Sequence, residues 1–315
     1  MSANTPKSLP AIVVHGGAGG PLETTDGCVN AARIGLAKLA HSCPCLDAAI
    51  AAVVSLEDDG RFNAGSGADV RLDGETIEMD AAVMDSRGWL GAVACMPPVR
   101  NPVLVARAVG STPHWLLVGR GALQFAQVME LNRPAAASER ARREHRTLME
   151  RLAREDGERA FPGCDNEVFR RFWNYSTPWE DAVREHAHGT VGAVTRDAEG
   201  HFAVASSTGG SAPALEGRVG DTPIVGCGFY AGAKGAIAVT GSGEFIVRQM
   251  LAKTVYEWIE RGEALQRALE RAVRLIRDDA DVGLIGITAT ETGAASNRSM
   301  PHAVAQGDEE GDEED

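Results

Sequence analysis

Residues 190–208, TVGAVTRDAEGHFAVASST, constrain the fold of this chain more than any other stretch. Two runs rich in Val, Ala, Thr and Ser flank a turn at Ala198-Glu199-Gly200, the pattern of a β-hairpin. With the turn centred near 199, cross-strand partners carry numbers that sum to about 398. Thr190 then stands opposite Thr208, and two threonine hydroxyls meet at the open end of the hairpin. Gly189 precedes the first run and Gly209-Gly210 ends the second.

Upstream, a strand-like run from Ala11 to Val14 enters the glycine turn His15-Gly16-Gly17-Ala18-Gly19-Gly20. Helical spacing follows over Gly27 to Leu39 and Leu46 to Leu56. The loop LEDDGRFNAGSGAD leads into a meander with strands at Ala68 to Leu72, Thr76 to Met84 and Trp89 to Met96. Short helices are expected near 101–109 and 121–131. From about 133 to 189 the chain is charged and poor in apolar residues, and reads as an exposed helix running into a flexible linker. Beyond the hairpin come a strand AIAVTGSG, helices over about 243–261 and 263–278, and a closing strand VGLIGITATE. No internal repeat is evident. Helices after a sheet, followed by a returning strand, point to a layered α+β architecture.

The net charge of −13 has −7 of it in residues 308–315, which leaves −6 for residues 1–307. The acidic end, from about 306 to 315, reads as a disordered tail. So mild a balance argues against nucleic acid as a partner, because phosphate binding needs a basic stripe. Apolar runs stop well short of a membrane span, and the first residues lack an apolar stretch followed by a small-residue cleavage site, so a cytoplasmic location is expected. The six cysteines lack disulfide-framework or paired CxxC spacing, and Cys43-Pro-Cys45 reads as structural.

Several common chemistries have no local support. G-x-S-x-G, the P-loop pattern and H-E-x-x-H are all absent, and HGGAGG has Leu22 where the last glycine of a dinucleotide fingerprint belongs. What remains is a threonine after a glycine, at a linker-to-strand junction, with a second threonine beside it. A threonine hydroxyl needs a nearby base. When threonine is the first residue of a chain, its own α-amino group can serve, with an ordinary pKa of about 7.7–8.0. That would require the Gly189–Thr190 bond to break. The pentapeptide His-Gly-Thr-Val-Gly also suits an ordinary strand start.

Several motifs in order weigh between those readings. HGTVGAV at 188–194, SSTGG at 206–210, GRVGDTP at 217–223 and TGSGE at 240–244 resemble the plant-type asparaginase and isoaspartyl aminopeptidase family of N-terminal nucleophile (Ntn) hydrolases. VVHGGAGG at 13–20, LEDDGRFNAGSGA at 56–68, EMDAAVMD at 78–85 and RNPVLVAR at 100–107 extend the similarity to the first half. The resemblance implies a four-layer αββα sandwich, cut into an α chain (1–189) and a β chain (190–315) and assembled as (αβ)2. It implies Thr190 as nucleophile, Thr208 as its support, and Thr240 with the Gly241 backbone N–H as the oxyanion hole. Arg218 would hold the substrate α-carboxylate and Asp221 its α-ammonium, with Asn63 supporting the cleavage junction. Substrates would be L-asparagine and isoaspartyl dipeptides. The resemblance implies a chemistry that requires no cofactor. A structural sodium ion is implied on the backbone carbonyls of Leu56, Glu57, Asp59, Phe62, Ala64 and Ser66.

Two departures bear on specificity. Ser211 to Glu216 stands where the family often carries an Asn-Lys pair, and an acidic Glu216 would favour a basic leaving residue. Ser242 stands where His or Thr is frequent. A glycosylasparaginase-like amidase is the nearest enzyme alternative, disfavoured by His-Gly-Thr in place of His-Asp-Thr. A non-catalytic amino-acid-binding or scaffold protein of the same fold is the alternative of another class. Arg218 and Asp221 could also form a plain surface ion pair.

Overall fold

A computed structural model describes residues 8–135, 138–152, 161–163, 166–176 and 190–307. β1 (Ala11–His15) leads through the glycine turn to α1 (Thr25–Ala40) and α2 (Cys45–Asp59). Next come β2 (Met79–Asp85), β3 (Leu90–Met96), α3 (Pro102–Val109), β4 (Leu116–Val118) and α4 (Gly119–Val128). α5 (Glu139–Leu152) and α6 (Glu167–Arg171) precede the hairpin β5 (Thr190–Arg196) and β6 (Phe202–Thr208). β7 (Phe229–Gly232), β8 (Gly235–Gly241), α7 (Gly243–Gln249), α8 (Leu251–Glu260) and α9 (Leu265–Val273) follow. β9 (Val282–Thr288), β10 (Thr292–Ser296) and β11 (His302–Gln306) complete the described strands.

The architecture is α+β with two sheets. One runs β11-β1-β5-β6-β2-β3-β4 and the other β10-β9-β8-β7. All pairings are antiparallel except β3 with β4, which makes the larger sheet mixed. The central hairpin is buried on both faces, which is why its runs are almost continuously apolar or small. Val191, Ala193, Ala203 and Ala205 pack with the apolar stripes of α1, α2 and α3. Val194, Phe202 and Val204 point the other way and meet Ala236, Ala238, Ile285 and Ile287 of the smaller sheet. The outer face of that sheet, with Ile237, Val239 and Leu284, is covered by Val255 of α8 and Leu265 and Leu269 of α9. Between the sheets there is little slack: a Cβ on Gly192 would lie 2.5 Å from the His15 Nε2.

The hairpin register is Thr190↔Thr208 through Arg196↔Phe202, as the turn arithmetic requires. Elsewhere the elements differ from expectation for identifiable reasons. Residues 68–72 form no strand: the Asp69 N–H is taken by the Asn63 side chain, and Arg71 turns inward to Glu78. Met250, at φ +42°, divides the expected helix over 243–261 into α7 and α8. The helix expected over 263–278 ends at Val273.

The segment expected to be an exposed helix and flexible linker is in part packed. α5 buries Ala141, His145 and Met149, four residues apart on one face. His145 belongs to that stripe because its Nε2 meets the Leu72 carbonyl at 3.1 Å, so an apolar pattern alone passes over it. Met149, Phe169 and Tyr175 gather on Leu72 and Ala212. Residues 177–189, with Gly189, lie outside the described residues. At the far end, Gln306 belongs to β11 and pairs with Ala11, while 308–315 lie outside the described residues. No helix among the described residues is long and apolar enough to cross a membrane.

Candidate active site

A cavity of about 620 Å³ opens where the β5–β6 hairpin meets the ends of β8 and β9, and Thr190, Thr208, Arg218, Asp221, Thr240 and Gly241 all line it. Antiparallel register brings the first two together. The Thr190 Oγ1 donates to the Thr208 Oγ1 at 3.2 Å, and Thr190 is 9% exposed. Thr208 is in turn fixed by the Gly210 N–H, which donates to its Oγ1 at 3.0 Å.

Asn63 holds that glycine pair. Its Nδ2 donates to the Gly210 carbonyl at 2.5 Å, its carbonyl accepts the Gly209 N–H at 3.1 Å, and its Oδ1 accepts the Asp69 N–H at 2.8 Å. Asn63 thus acts on the far side of Thr208, bracing the turn that carries it.

The smaller sheet brings Thr240 and Gly241 to the same cavity at the end of β8. Gly241 has φ +135°, and a Cβ there would run into the Asp281 carbonyl, so the position requires glycine. The glycine turn after β1 reaches across the sheets: the Ala18 N–H donates to the Thr240 Oγ1 at 3.3 Å. With a lone pair so engaged, the Thr240 hydroxyl keeps its own hydrogen to donate elsewhere.

Charge is arranged around a turn. Arg218 and Glu244 form a two-pronged pair, Nε to Oε1 and Nη2 to Oε2, each 2.9 Å. Burial works against the Arg218 charge, but the Glu244 carboxylate outweighs it and holds the guanidinium pKa above its ordinary value. Arg218 is paired with Glu244, so the plain Arg218–Asp221 surface pair, the alternative the sequence left open, does not form. Asp221 is 4% exposed, and its Oδ2 has no hydrogen-bond partner among the described residues. Burial pushes its pKa up to about 7, with Arg218 opposing the rise. A buried carboxylate oxygen left without a hydrogen bond on a cavity wall has the chemistry to accept from a cation with N–H donors.

Three supports were not singled out in the sequence. Glu244 sits in the TGSGE motif, and its acidic character was the available signal. Arg71, 1% exposed, pairs with Glu78 at 3.1 Å and donates to the Arg218 carbonyl at 3.3 Å. The Glu78 carboxylate accepts the Gly217 N–H at 3.0 and 3.1 Å, so this ion pair holds the backbone that presents Arg218. Glu216, by contrast, is exposed and does not line the cavity; its backbone is pinned to the Asn174 side chain at 3.0 and 3.1 Å.

The loop after α2 suits a hard cation. Helix ends leave carbonyls without intrahelical partners, here those of the last turn before Asp59. The Phe62 and Ala64 carbonyls each accept one loop N–H, at 2.9 and 3.0 Å, and keep a second lone pair. A Cβ on Gly65 would come within 2.8 Å of the Glu57 carbonyl, and one on Gly67 would run into that of Phe62. The Glu57 side chain is not a cavity group: it is fully buried and accepts the Val103 N–H at 3.0 Å and the Asn101 Nδ2 at 3.1 Å. Asp197, Glu199 and His201 also cluster, but at the turn of the hairpin, the end away from Thr190.

Comparison with known proteins agrees with this assembly of motifs. The protein-family model described as asparaginase matches residues 8–314. An isoaspartyl peptidase/L-asparaginase of Macaca fascicularis is 37% identical over 94% of this chain and 93% of that protein. Its namesake in Danio rerio is 38% identical over 95% and 93%. A plant-type L-asparaginase of Pyrococcus furiosus is 38% identical over 85% of each chain.

Proposed function

The chain belongs to the asparaginase family and is a hydrolase, and from that premise we propose that it is an Ntn hydrolase with Thr190 as nucleophile, releasing aspartate from L-asparagine and isoaspartyl dipeptides. The observation that carries this is the meeting, in one cavity, of the Thr190–Thr208 hydroxyl pair with the Arg218 fork and the Asp221 oxygen that has no hydrogen-bond partner among the described residues. Such a constellation suits a nucleophile beside a receptor for an α-amino acid head.

In the first reaction the Thr190 hydroxyl attacks the Gly189 carbonyl carbon. The peptide C–N bond breaks as a C–O ester forms, and water then hydrolyses the ester. The products are a chain ending at Gly189 and one whose first residue is Thr190 with a free α-amino group. In the second, that amine takes the hydroxyl proton as the Thr190 oxygen attacks the side-chain amide carbon of the substrate. The Thr240 O–H and Gly241 N–H stabilise the oxyanion. The amine returns the proton to the leaving nitrogen, and water cleaves the aspartyl ester. Arg218 takes the α-carboxylate and Asp221 the α-ammonium. The packing of both sheets between helices supports the four-layer αββα arrangement. Assembly as (αβ)2 belongs to the same reading. So does a structural sodium ion on the carbonyls after α2, which supplies loop rigidity and takes no part in the reaction.

The direct test is aspartate release from L-asparagine, an isoaspartyl dipeptide and a glycosylated asparagine. Turnover of the first two and not the third is expected; the reverse order would favour the glycosylasparaginase-like alternative.

Asp221 also sets a pH dependence. Both the α-amine and Asp221 must be deprotonated to work, so kcat/KM should rise between about pH 6 and 8. For stability the sign is opposite. The Asp221 pKa is raised on folding, so the folded state binds more protons than the unfolded one between pH 3.8 and about 7. Its contribution to stability is therefore present at low pH and lost as pH rises through the folded value. Asp221→Asn should then melt several degrees above the parent at pH 8, with the gap closing by pH 4, while losing turnover. Thermal melts at both pH values measure this.

A further inference from the structure

We propose that Arg298 reads the free α-carboxylate of the leaving residue of an isoaspartyl dipeptide, an inference that rests on the function proposed above. The turn from Gly241 to Gly243 touches two groups of cavity-lining residues. A Cβ on Gly243 would stand 2.8 Å from Arg218 Nη2 and 2.9 Å from Asp221 Oδ1, so that side faces the two head-group receptors. The opposite side faces Asp281. The Ser242 N–H donates to the Asp281 carbonyl at 2.8 Å, and the Asp281 N–H donates to the Ser242 Oγ at 3.2 Å.

Beyond Asp281, and lining the same cavity, stands Arg298. With the scissile carbonyl at Thr240 and Gly241 and the α-amino acid head held by Arg218 and Asp221, the amide nitrogen and whatever it carries extend away from the head, to the Ser242–Asp281–Arg298 side. In L-asparagine that nitrogen carries nothing. In an isoaspartyl dipeptide it carries a residue with its own carboxylate.

Arg298 is built to meet a fixed anion. Its Nε donates to Asp281 Oδ1 at 2.9 Å, its Nη2 to the Asp278 carbonyl at 2.9 Å and its Nη1 to the Asn297 carbonyl at 3.3 Å. Three of the five N–H donors of a guanidinium are thereby committed, which locks the plane and leaves two to be shared with a ligand. The side chain is 42% exposed, open to the cavity mouth. Asp281 offsets its charge, and the neighbouring Asp279 is engaged by Arg277 at 2.6 Å, so recognition comes from directed donors more than from net charge.

The test is the ratio of kcat/KM for isoaspartyl-leucine to that for isoaspartyl-leucinamide, which differ only in the leaving carboxylate. The parent protein should prefer the acid by about two- to fivefold, the scale of a partly exposed charge-assisted contact. In Arg298→Gln the ratio should fall to about one, and Arg298→Lys should keep part of it. A parent ratio near one, or an unchanged ratio in Arg298→Gln, would overturn the inference. Because L-asparagine has no leaving residue, its hydrolysis by the parent protein separates the two levels. Without it the proposed function fails; with it and an unaltered ratio, only the role of Arg298 does.

Discussion

Thr190→Ala should yield a chain that stays in one piece and hydrolyses neither L-asparagine nor isoaspartyl peptides. The substitution removes the hydroxyl that the proposed account uses twice, once on the preceding carbonyl and once on the substrate. Thr208 cannot replace it: its hydroxyl lies inside the chain and is fixed by the Gly210 N–H at 3.0 Å. The loss of turnover should be about 10⁴-fold or more, as for removal of a nucleophile in other hydrolases. The fold should survive, because the β5–β6 register depends on backbone pairing and on the buried Val191, Ala193 and Val194. Deletion of one hydroxyl from a bond to Thr208 costs about 1 kcal/mol. Mass spectrometry of the purified variant and an aspartate-release assay check the two halves independently. Thr190→Ser, which retains a hydroxyl, should retain both activities in reduced form.

Arg218→Leu should leave cleavage intact while lowering kcat/KM about 30- to 4,000-fold, chiefly through KM. That range corresponds to about 2–5 kcal/mol for truncating one partner of a hydrogen-bonded charge pair, here one that is partly buried. Two losses add together: the substrate α-carboxylate loses its fork, and Glu244 is left beside the cavity with its principal cation gone. Arg218→Lys should recover only part, because a single ammonium cannot reproduce two parallel N–H donors. The Gly189–Thr190 bond involves no α-carboxylate, so the variant should still be cut. An uncut Arg218→Leu protein would instead mean that the pair serves the fold of the cavity. Steady-state kinetics with L-asparagine, together with a denaturing gel, distinguish the two.

How much of this was legible in the sequence follows from the range over which each signal acts. The β5–β6 register could be read from a turn and two small-residue runs because hairpin pairing is local and its arithmetic is fixed once the turn is placed. The convergence of Arg218, Asp221 and Thr240 was carried by motif resemblance alone, since no local rule links residue 218 to residue 240. The Glu244 partner of Arg218 was missed for the same reason: it depends on how the turn after β8 folds back over the loop at 217–221. Residues 68–72 alternate like a strand, yet the Asp69 N–H and the Arg71 guanidinium are taken by side chains from elsewhere, those of Asn63 and Glu78. The stripe on α5 was hidden by a buried histidine. β10 and β11, TGAAS and HAVAQ, are short and built largely of small residues, and their sequence carries little alternation; β11 is fixed by pairing with β1, almost the whole chain away.

The most direct test of the central claim is N-terminal sequencing of the smaller fragment from a denaturing gel of the purified protein. Two fragments are expected, the smaller beginning Thr-Val-Gly-Ala-Val at Thr190. A single full-length band in an active preparation, or a fragment with any other first residue, would contradict it.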